Sequence, residues 1–313
     1  MLQNFIICVN AVIPSAIYLA IGIAFKLLGV VTDEEVKKFT HFTFLALYPF
    51  LMFDNLYGKD IGDNFNAKLV IYALAFLAFQ IASSWIFVCK TQPLSYDRGA
   101  MIQALFRSNI VLMGLPIAIN LFGKGNVTAV AVVLLFVVPI YNVVAVVIFE
   151  IFRGGKIDVA GIVKGVFTNP LIIGGIAALI VMAVGLTVPT PIYNTIVTLS
   201  DSTTPIAMIL LGASLNLKRF ESDVAKVVIC VVGKIVIFPA IGILGAVLLG
   251  FRGVELIAIV LETATPTALA SFAMASSMGG NGKLAGEAVV LSTICACFTM
   301  PIFLFILKNG GFF

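Results

Sequence analysis

Four ionisable residues lie inside long apolar runs of this chain: Arg107, Asp201, Lys234 and Glu262. A charge at the centre of a membrane helix costs about 2.5–3.5 kcal/mol, so four isolated ones would cost roughly 10–14 kcal/mol. Side chains kept there either handle a charged solute or pair with one another. Two of the four come with a helix breaker. Arg107-Ser-Asn-Ile-Val-Leu-Met-Gly-Leu-Pro116 sets a guanidinium and the amide of Asn109 just before Gly114 and Pro116. Glu262-Thr-Ala-Thr-Pro266 sets a carboxylate just before Pro266. Proline has no N–H and clashes with the carbonyl four residues back, so each stretch is expected to end or kink its helix near the proline. Broken backbone in lipid is tolerated only where protein buries it or it lines a cavity. Two such breaks in corresponding halves point to the binding site of a transporter.

The elements that must position these residues follow from composition. Of 313 residues, 61% are hydrophobic and 11% are charged. A soluble domain of this size could not cover so much apolar surface, so the chain is all-α and crosses the membrane many times. About 20 apolar residues make one span. Ten stretches meet that length, near residues 5–28, 38–57, 67–89, 99–122, 127–151, 169–186, 191–215, 225–250, 254–278 and 284–307. The first is long enough to be a retained helix rather than a cleaved leader. Residues 155–166 alternate Lys156, Asp158 and Lys164 with apolar residues, as in a short interfacial helix. The net charge of +4 is small and shows no basic stripe for nucleic acid. Cys8, Cys89, Cys230, Cys295 and Cys297 sit in or beside apolar runs, as packing residues rather than disulfides or metal ligands. No phosphate-binding loop follows a strand, and the single histidine, His41, lies at a span's edge. Neither an enzyme nor a bound cofactor or metal is expected.

Loop charges orient the spans. Twelve basic residues (Lys26, Lys37, Lys38, Lys90, Arg98, Arg153, Lys156, Lys164, Lys218, Arg219, Lys226, Lys283) fall opposite the N-terminus. Five (Lys59, Lys68, Lys124, Arg252, Lys308) fall on its own side. Both termini are therefore expected outside the cell membrane. The halves also echo each other. Ala67-Lys-Leu-Val-Ile71 opens the third span and Ala225-Lys-Val-Val-Ile229 the eighth. Arg98-Gly99 precedes the fourth and Arg252-Gly253 the ninth, and Pro49 and Pro205 lie in the second and seventh. Five spans separate each pair, and an odd repeat inverts one half in the membrane. The expected division is 1–151 and 169–313 as five-helix repeats, with 152–168 as a cytoplasmic linker. One mismatch remains: Pro116 lies about one turn further past Arg98 than Pro266 does past Arg252.

At these residues the chain resembles the auxin efflux carrier family, the bacterial relatives of the plant PIN-FORMED exporters. Asn109-Ile-Val-Leu-Met-Gly-Leu-Pro116 is similar to the family's Asn-x-x-x-x-Gly-x-Pro crossover, and Thr265-Pro266-Thr-Ala-Leu-Ala-Ser-Phe-Ala to its counterpart in the ninth span. Pro49-Phe-Leu-Met-Phe53, Leu199-Ser-Asp201 and Phe251-Arg-Gly-Val254 fit as well, and Tyr141-Asn142 is like the Tyr-Asn that reaches substrate. The resemblance implies two inverted five-helix repeats. Spans 1, 2, 6 and 7 would form a dimerising scaffold. Spans 3–5 and 8–10 would form a transport domain that moves like an elevator about crossing fourth and ninth helices. It departs from the plant exporters at Arg107 and Glu262, where those carry mostly uncharged residues. Together with Arg107, the family points to small mono- or dicarboxylates such as malate or malonate.

The residues leave several assignments open. Arg107 and Glu262 would approach the midplane from opposite faces. They either form a structural ion pair, or Arg107 receives an anion, which its planar fork suits, while Glu262 pairs with it or takes a proton. Asn109 and Asn142 would donate amide N–H groups to a carboxylate, or bond between helices. Backbone N–H groups of Ile117, Ala118, Thr267 and Ala268, after the prolines, would add donors. Lys234, near Pro239, would lower the site's negative charge, stand in for a cation, or pack against Asp201 or a carbonyl. Asp201 reads as a cation or packing residue, and Asp54 and Glu150 as solvated span ends. The first functional reading is an organic-anion carrier. The runner-up is a cation/proton antiporter using Asp201 and Glu262, and a third class is a non-transporting receptor. The topology has a direct test in a cysteine-free background. A membrane-impermeant thiol reagent should label cysteines introduced at positions 3 and 188 from outside, and at 155 and 220 only after permeabilisation. Labelling of 155 in intact cells would overturn it.

Overall fold

The computed structural model describes residues 2–58, 66–123, 126–153, 167–168, 170–214 and 224–313. They form α1 (Leu2–Leu27), α2 (Asp33–Ala46), α3 (Tyr48–Leu56), α4 (Ala67–Thr91), α5 (Ser95–Phe106), α6 (Ile110–Phe122), α7 (Thr128–Arg153), α8 (Pro170–Ala183), α9 (Thr190–Ser214), α10 (Val224–Leu248), α11 (Gly253–Ala264), α12 (Leu269–Ser277) and α13 (Gly282–Asn309). Among the described residues there is no strand beyond one isolated backbone bridge. Helices α4, α7, α9, α10 and α13 are each long and apolar enough to cross a membrane. The chain is a multi-pass membrane protein. The expected interfacial helix at 155–166, most of the linker 152–168, and labelling positions 155 and 220 lie outside the described residues. So do Lys59, Lys124, Lys156, Lys164, Lys218 and Arg219.

Local chemistry sets the helix ends. Thr32 and Glu35 form a capping box that starts α2. The backbone N–H and hydroxyl of Thr32 both donate to the Glu35 carboxylate and hold it below its usual range. Asn66 caps α4, and Asn281 caps α13. Pro49 sits in the first turn of α3, where a missing N–H costs nothing, so the second span is two helices meeting at Leu47.

The fourth span also breaks, but not where its proline suggested. Helix α5 ends at Phe106, and residues 107–109 are extended or irregular before α6 begins. Pro116 lies inside α6, directly after a π-helical turn, Ile110–Gly114. The wider turn accommodates the proline ring and its missing donor. The same device recurs in α10, where a π turn, Gly233–Ile237, precedes Pro239. In the ninth span the break includes its proline, because the residue before a proline is driven out of helical geometry; Thr265 has φ −68° and ψ 150°. Helices α5 and α11 are each 12 residues long, so the two spans break at equal depth from their starts. The prolines are out of step because Pro116 lies ten residues past Phe106, the end of α5, and inside α6, whereas Pro266 lies two residues past Ala264, the end of α11.

Helices α5 and α11 are the centre of the packing. Residues 99–106 and 256–264 are buried without exception, so neither half-helix has a polar outer face. Helices α4, α7, α10 and α13 surround them. Their starts are tied across the halves. Asn66, at the start of α4, donates from Nδ2 to Glu255 Oε1 of α11 at 2.8 Å. Lys226, at the start of α10, donates from Nζ to Asp97 Oδ2 of α5 at 2.7 Å.

A second group packs α1 on α9 and α3 on α8. Asp54 belongs to it and is only 4% exposed, with Oδ1 accepting from the Tyr193 hydroxyl at 3.1 Å. The expectation of a solvated Asp54 is therefore corrected: the break at Leu47 swings α3 inward, where residues 51–56 are all buried. His41 is exposed, as an interfacial residue should be.

Glycine allows backbone-to-backbone contact in this group. A Cβ at Gly212 of α9 would fall 2.1 Å from the Leu19 carbonyl oxygen of α1, and one at Gly22 would fall 1.9 Å from that of Ile209. Such small-residue contacts drive helix association in lipid. Gly212→Val should therefore force α1 and α9 apart, costing about 1–3 kcal/mol. The check is a lower thermal midpoint in detergent for Gly212→Val, with no change for a valine at exposed Gly29's neighbour Leu28. An unchanged midpoint for Gly212→Val would show that the contact is not needed.

Candidate functional site

The two breaks meet. Residues 107–109 run antiparallel to residues 266–268, with Ser108 opposite Thr267. The Asn109 N–H donates to the Pro266 carbonyl at 2.8 Å, and the Ala268 N–H donates to that of Arg107 at 3.1 Å. Side chains satisfy the neighbouring backbone. The Thr267 hydroxyl donates to the Ala104 carbonyl at 2.8 Å, that of Thr265 to the Leu261 carbonyl at 2.7 Å, and the Thr267 N–H to Ser292 Oγ at 3.1 Å. The N–H groups of Thr267 and Ala268 are thus already used within the crossing. Ile117 and Ala118 lie inside α6, past its first turns. None of these four is a spare donor at the break.

Arg107 projects from the end of α5 and is 7% exposed. Its Nη2 donates to Asn142 Oδ1 of α7 at 2.7 Å. On the other side, the Gln103 amide is satisfied with its oxygen accepting from Nη1 at 2.9 Å and its nitrogen donating to the Ser271 carbonyl at 3.3 Å. These acceptors are neutral. Among the described residues no carboxylate lies within ion-pair distance of Arg107. Burial and neutral partners leave a guanidinium charge without a counter-ion.

Arg107 and Glu262 are therefore not joined. Glu262 is 0% exposed, and neither of its carboxylate oxygens has a hydrogen-bond partner among the described residues. No ion pair joins it to Lys234 among the described residues. Lys234 is also 0% exposed and reaches the crossing from the π turn of α10. Its Nζ donates to the Thr263 carbonyl at 3.1 Å and to the Ser108 hydroxyl, which in turn donates to the Glu262 carbonyl. Of the partners expected for Lys234, the structure shows a carbonyl and not Asp201. Asp201 faces outward on α9.

Asn109 is 5% exposed and its Nδ2 is buried without an acceptor among the described residues. A buried donor in that state normally has a partner to meet. Gly114 lies one turn further along α6, where a Cβ would meet Leu261 Cβ and Thr265 Cγ2 at 3.2 Å. It lets α6 close on the end of α11. Pro266 contributes only its carbonyl to the crossing, having no N–H to leave unpaired.

Reasoning from the sequence missed Gln103 and Ser108. Gln103 had a readable signal, a lone amide four residues before Arg107 and so on the same helical face. Ser108 had none beyond its place in the break.

Comparison with known proteins agrees with this arrangement. Residues 159–304 match the family model described as membrane transport protein. A relative from Methanocaldococcus jannaschii, described as an uncharacterized transporter, is 21% identical over 311 residues, covering 96% of this chain and 99% of its own. Another from Methanothermobacter thermautotrophicus, with the same description, is 23% identical over 297 residues, covering 94% and 96%. With the motifs of both crossing helices, these matches support a membrane transporter that is similar to the auxin efflux carrier family.

Proposed function

We propose that this transporter is a secondary carrier of small organic anions, mono- or dicarboxylates, held at the crossing of its fourth and ninth spans. The observation that carries the reading is the buried guanidinium of Arg107, whose hydrogen bonds go to neutral groups, the amides of Asn142 and Gln103 and the Met274 sulfur, and whose charge no carboxylate among the described residues balances. A carboxylate that enters meets a fork already oriented by Gln103 and Asn142, together with the open donor of Asn109. Orientation before binding lowers the entropy that association must overcome. Asn142 acts chiefly through Arg107, and Glu262 lies on the Lys234 side of the crossing.

The architecture in this reading is ten spans in two inverted repeats. The equal half-helices α5 and α11, the paired π turns, and the reciprocal ties of Asn66 to Glu255 and Lys226 to Asp97 support it. The helices around the crossing would be the transport domain. The group built on α1, α3, α8 and α9 would be the scaffold through which two copies associate. The domain would carry the anion across by elevator motion.

Uptake of radiolabelled acids into proteoliposomes tests the reading, with Arg107→Gln as the decisive variant. Arg107 has no counter-ion to strand, so this variant should fold. Loss of a hydrogen bond to a charged group is worth about 1.5–3 kcal/mol, a drop of roughly 10- to 150-fold in carboxylate affinity. Asn109→Ala should fall in the same range. Glu262→Gln, which leaves the fork intact, should bind acid far better than Arg107→Gln does. A well-folded Arg107→Gln with unchanged carboxylate affinity would place the anion elsewhere.

A further inference from the structure

The position of Lys234 has a second meaning. Its ammonium lies at the C-terminal end of α11, between the Thr263 carbonyl and the Ser108 hydroxyl, with the buried Glu262 side chain on the same turn of α11 but outside hydrogen-bond distance. A carbonyl, a hydroxyl and a carboxylate are hard oxygen ligands, which suit small hard cations. Half-helix C-termini at membrane depth carry partial negative charge and coordinate the driving cation in several transporter folds. Here an ammonium on a flexible stem fills that place. Lys234 donates to no other described group, and its side chain is fully buried. The π turn that carries it is also informative. It shifts the register of α10 at Gly233, where an added Cβ would fall 2.4 Å from Leu105 Cδ2 of α5. A wide turn and a glycine bring the root of Lys234 close against the crossing.

We propose that the oxygens of Ser108 and Thr263, with the buried carboxylate of Glu262 able to close on them, form a monovalent-cation site whose occupant in this protein is the covalently attached ammonium of Lys234. The carrier consequently runs without a free alkali cation, and removing the amine opens the site to one. Glu262 would supply the negative charge that either occupant balances, which accounts for a buried carboxylate with no hydrogen-bond donor among the described residues. The inference shares the crossing with the anion-carrier reading but does not depend on the solute.

The test is thermal stability of the purified protein without any organic acid, in sodium, in potassium and in choline chloride at matched ionic strength. The wild type should melt at the same temperature in all three. Lys234→Ala should melt lower in choline and recover in sodium or potassium. At about a hundred times its Kd the rescuing cation should raise the midpoint by roughly 5–10 °C. Methylammonium should rescue as well, because it restores the missing group. Lys234→Met keeps the stem's packing and serves if the alanine variant does not fold in choline; it should show the same cation rescue. The additional variant Lys234→Ala with Glu262→Gln should lose the rescue. A wild type stabilised by sodium, or Lys234 variants that no small cation stabilises, would overturn the proposal. Uptake assays separate it from the anion reading: Arg107→Gln should lose acid affinity while keeping cation-independent stability.

Discussion

Backbone that leaves a helix inside a membrane must find hydrogen bonds within the protein, and this requirement governs the centre of the molecule. Two spans break here, and each break satisfies the other. The short antiparallel contact at Ser108 and Thr267 pairs main-chain groups that lipid could not. Threonine and serine hydroxyls take up the carbonyls at the ends of both half-helices. Everything nearby follows. Helices α5 and α11 must be buried all round, their neighbours must enclose them, and the prolines that disfavour helix need π turns or extended residues beside them.

Charge is sorted about that crossing. Arg107 lies on one side with amide oxygens, while Lys234 and Glu262 lie on the other with hydroxyl and carbonyl groups. The local count is two cations and one anion. A buried excess of positive charge is costly unless an anion arrives or something screens it. In the proposed reading, separating the two cations leaves Arg107 open to an anionic solute while Lys234 is held by the Ser108 hydroxyl and the Thr263 carbonyl. The two roles then differ by geometry, not by residue type.

Much of this was legible before any coordinates. The all-helical membrane-spanning character, the existence of two breaks, and the burial of Arg107, Lys234 and Glu262 follow from apolar length and from the cost of charge in lipid, whereas Asp201 proves exposed. What was not legible needed the third dimension. Pro116 drew the break to itself, yet the chain departs from helix at residues 107–109, because a π turn absorbs the proline. The balance of two cations and two anions suggested a pair between Arg107 and Glu262. Instead, the register of α10 brings Lys234 to the carboxylate side, and no periodicity in the sequence announces a π turn. Asp54 read as solvated because it lies near a span's end, and the bend at Leu47 puts it inside. Each error has the same origin: position along a helix was known, but rotation about it was not.

The contacts between Gly22 and Ile209, between Asn66 and Glu255, and between Ser108 and Thr267 all join residues from opposite halves of the chain. The halves are thus interleaved rather than set side by side. Each broken helix packs against helices of its own half and is completed by residues of the other. The peptide connection between them then matters mainly by raising their effective concentration. Assembly is closer to the docking of two complementary subunits than to the folding of two domains. The slow step in biogenesis would be that docking, with the first half waiting in the bilayer, its crossing residues unpaired, until the second is synthesised.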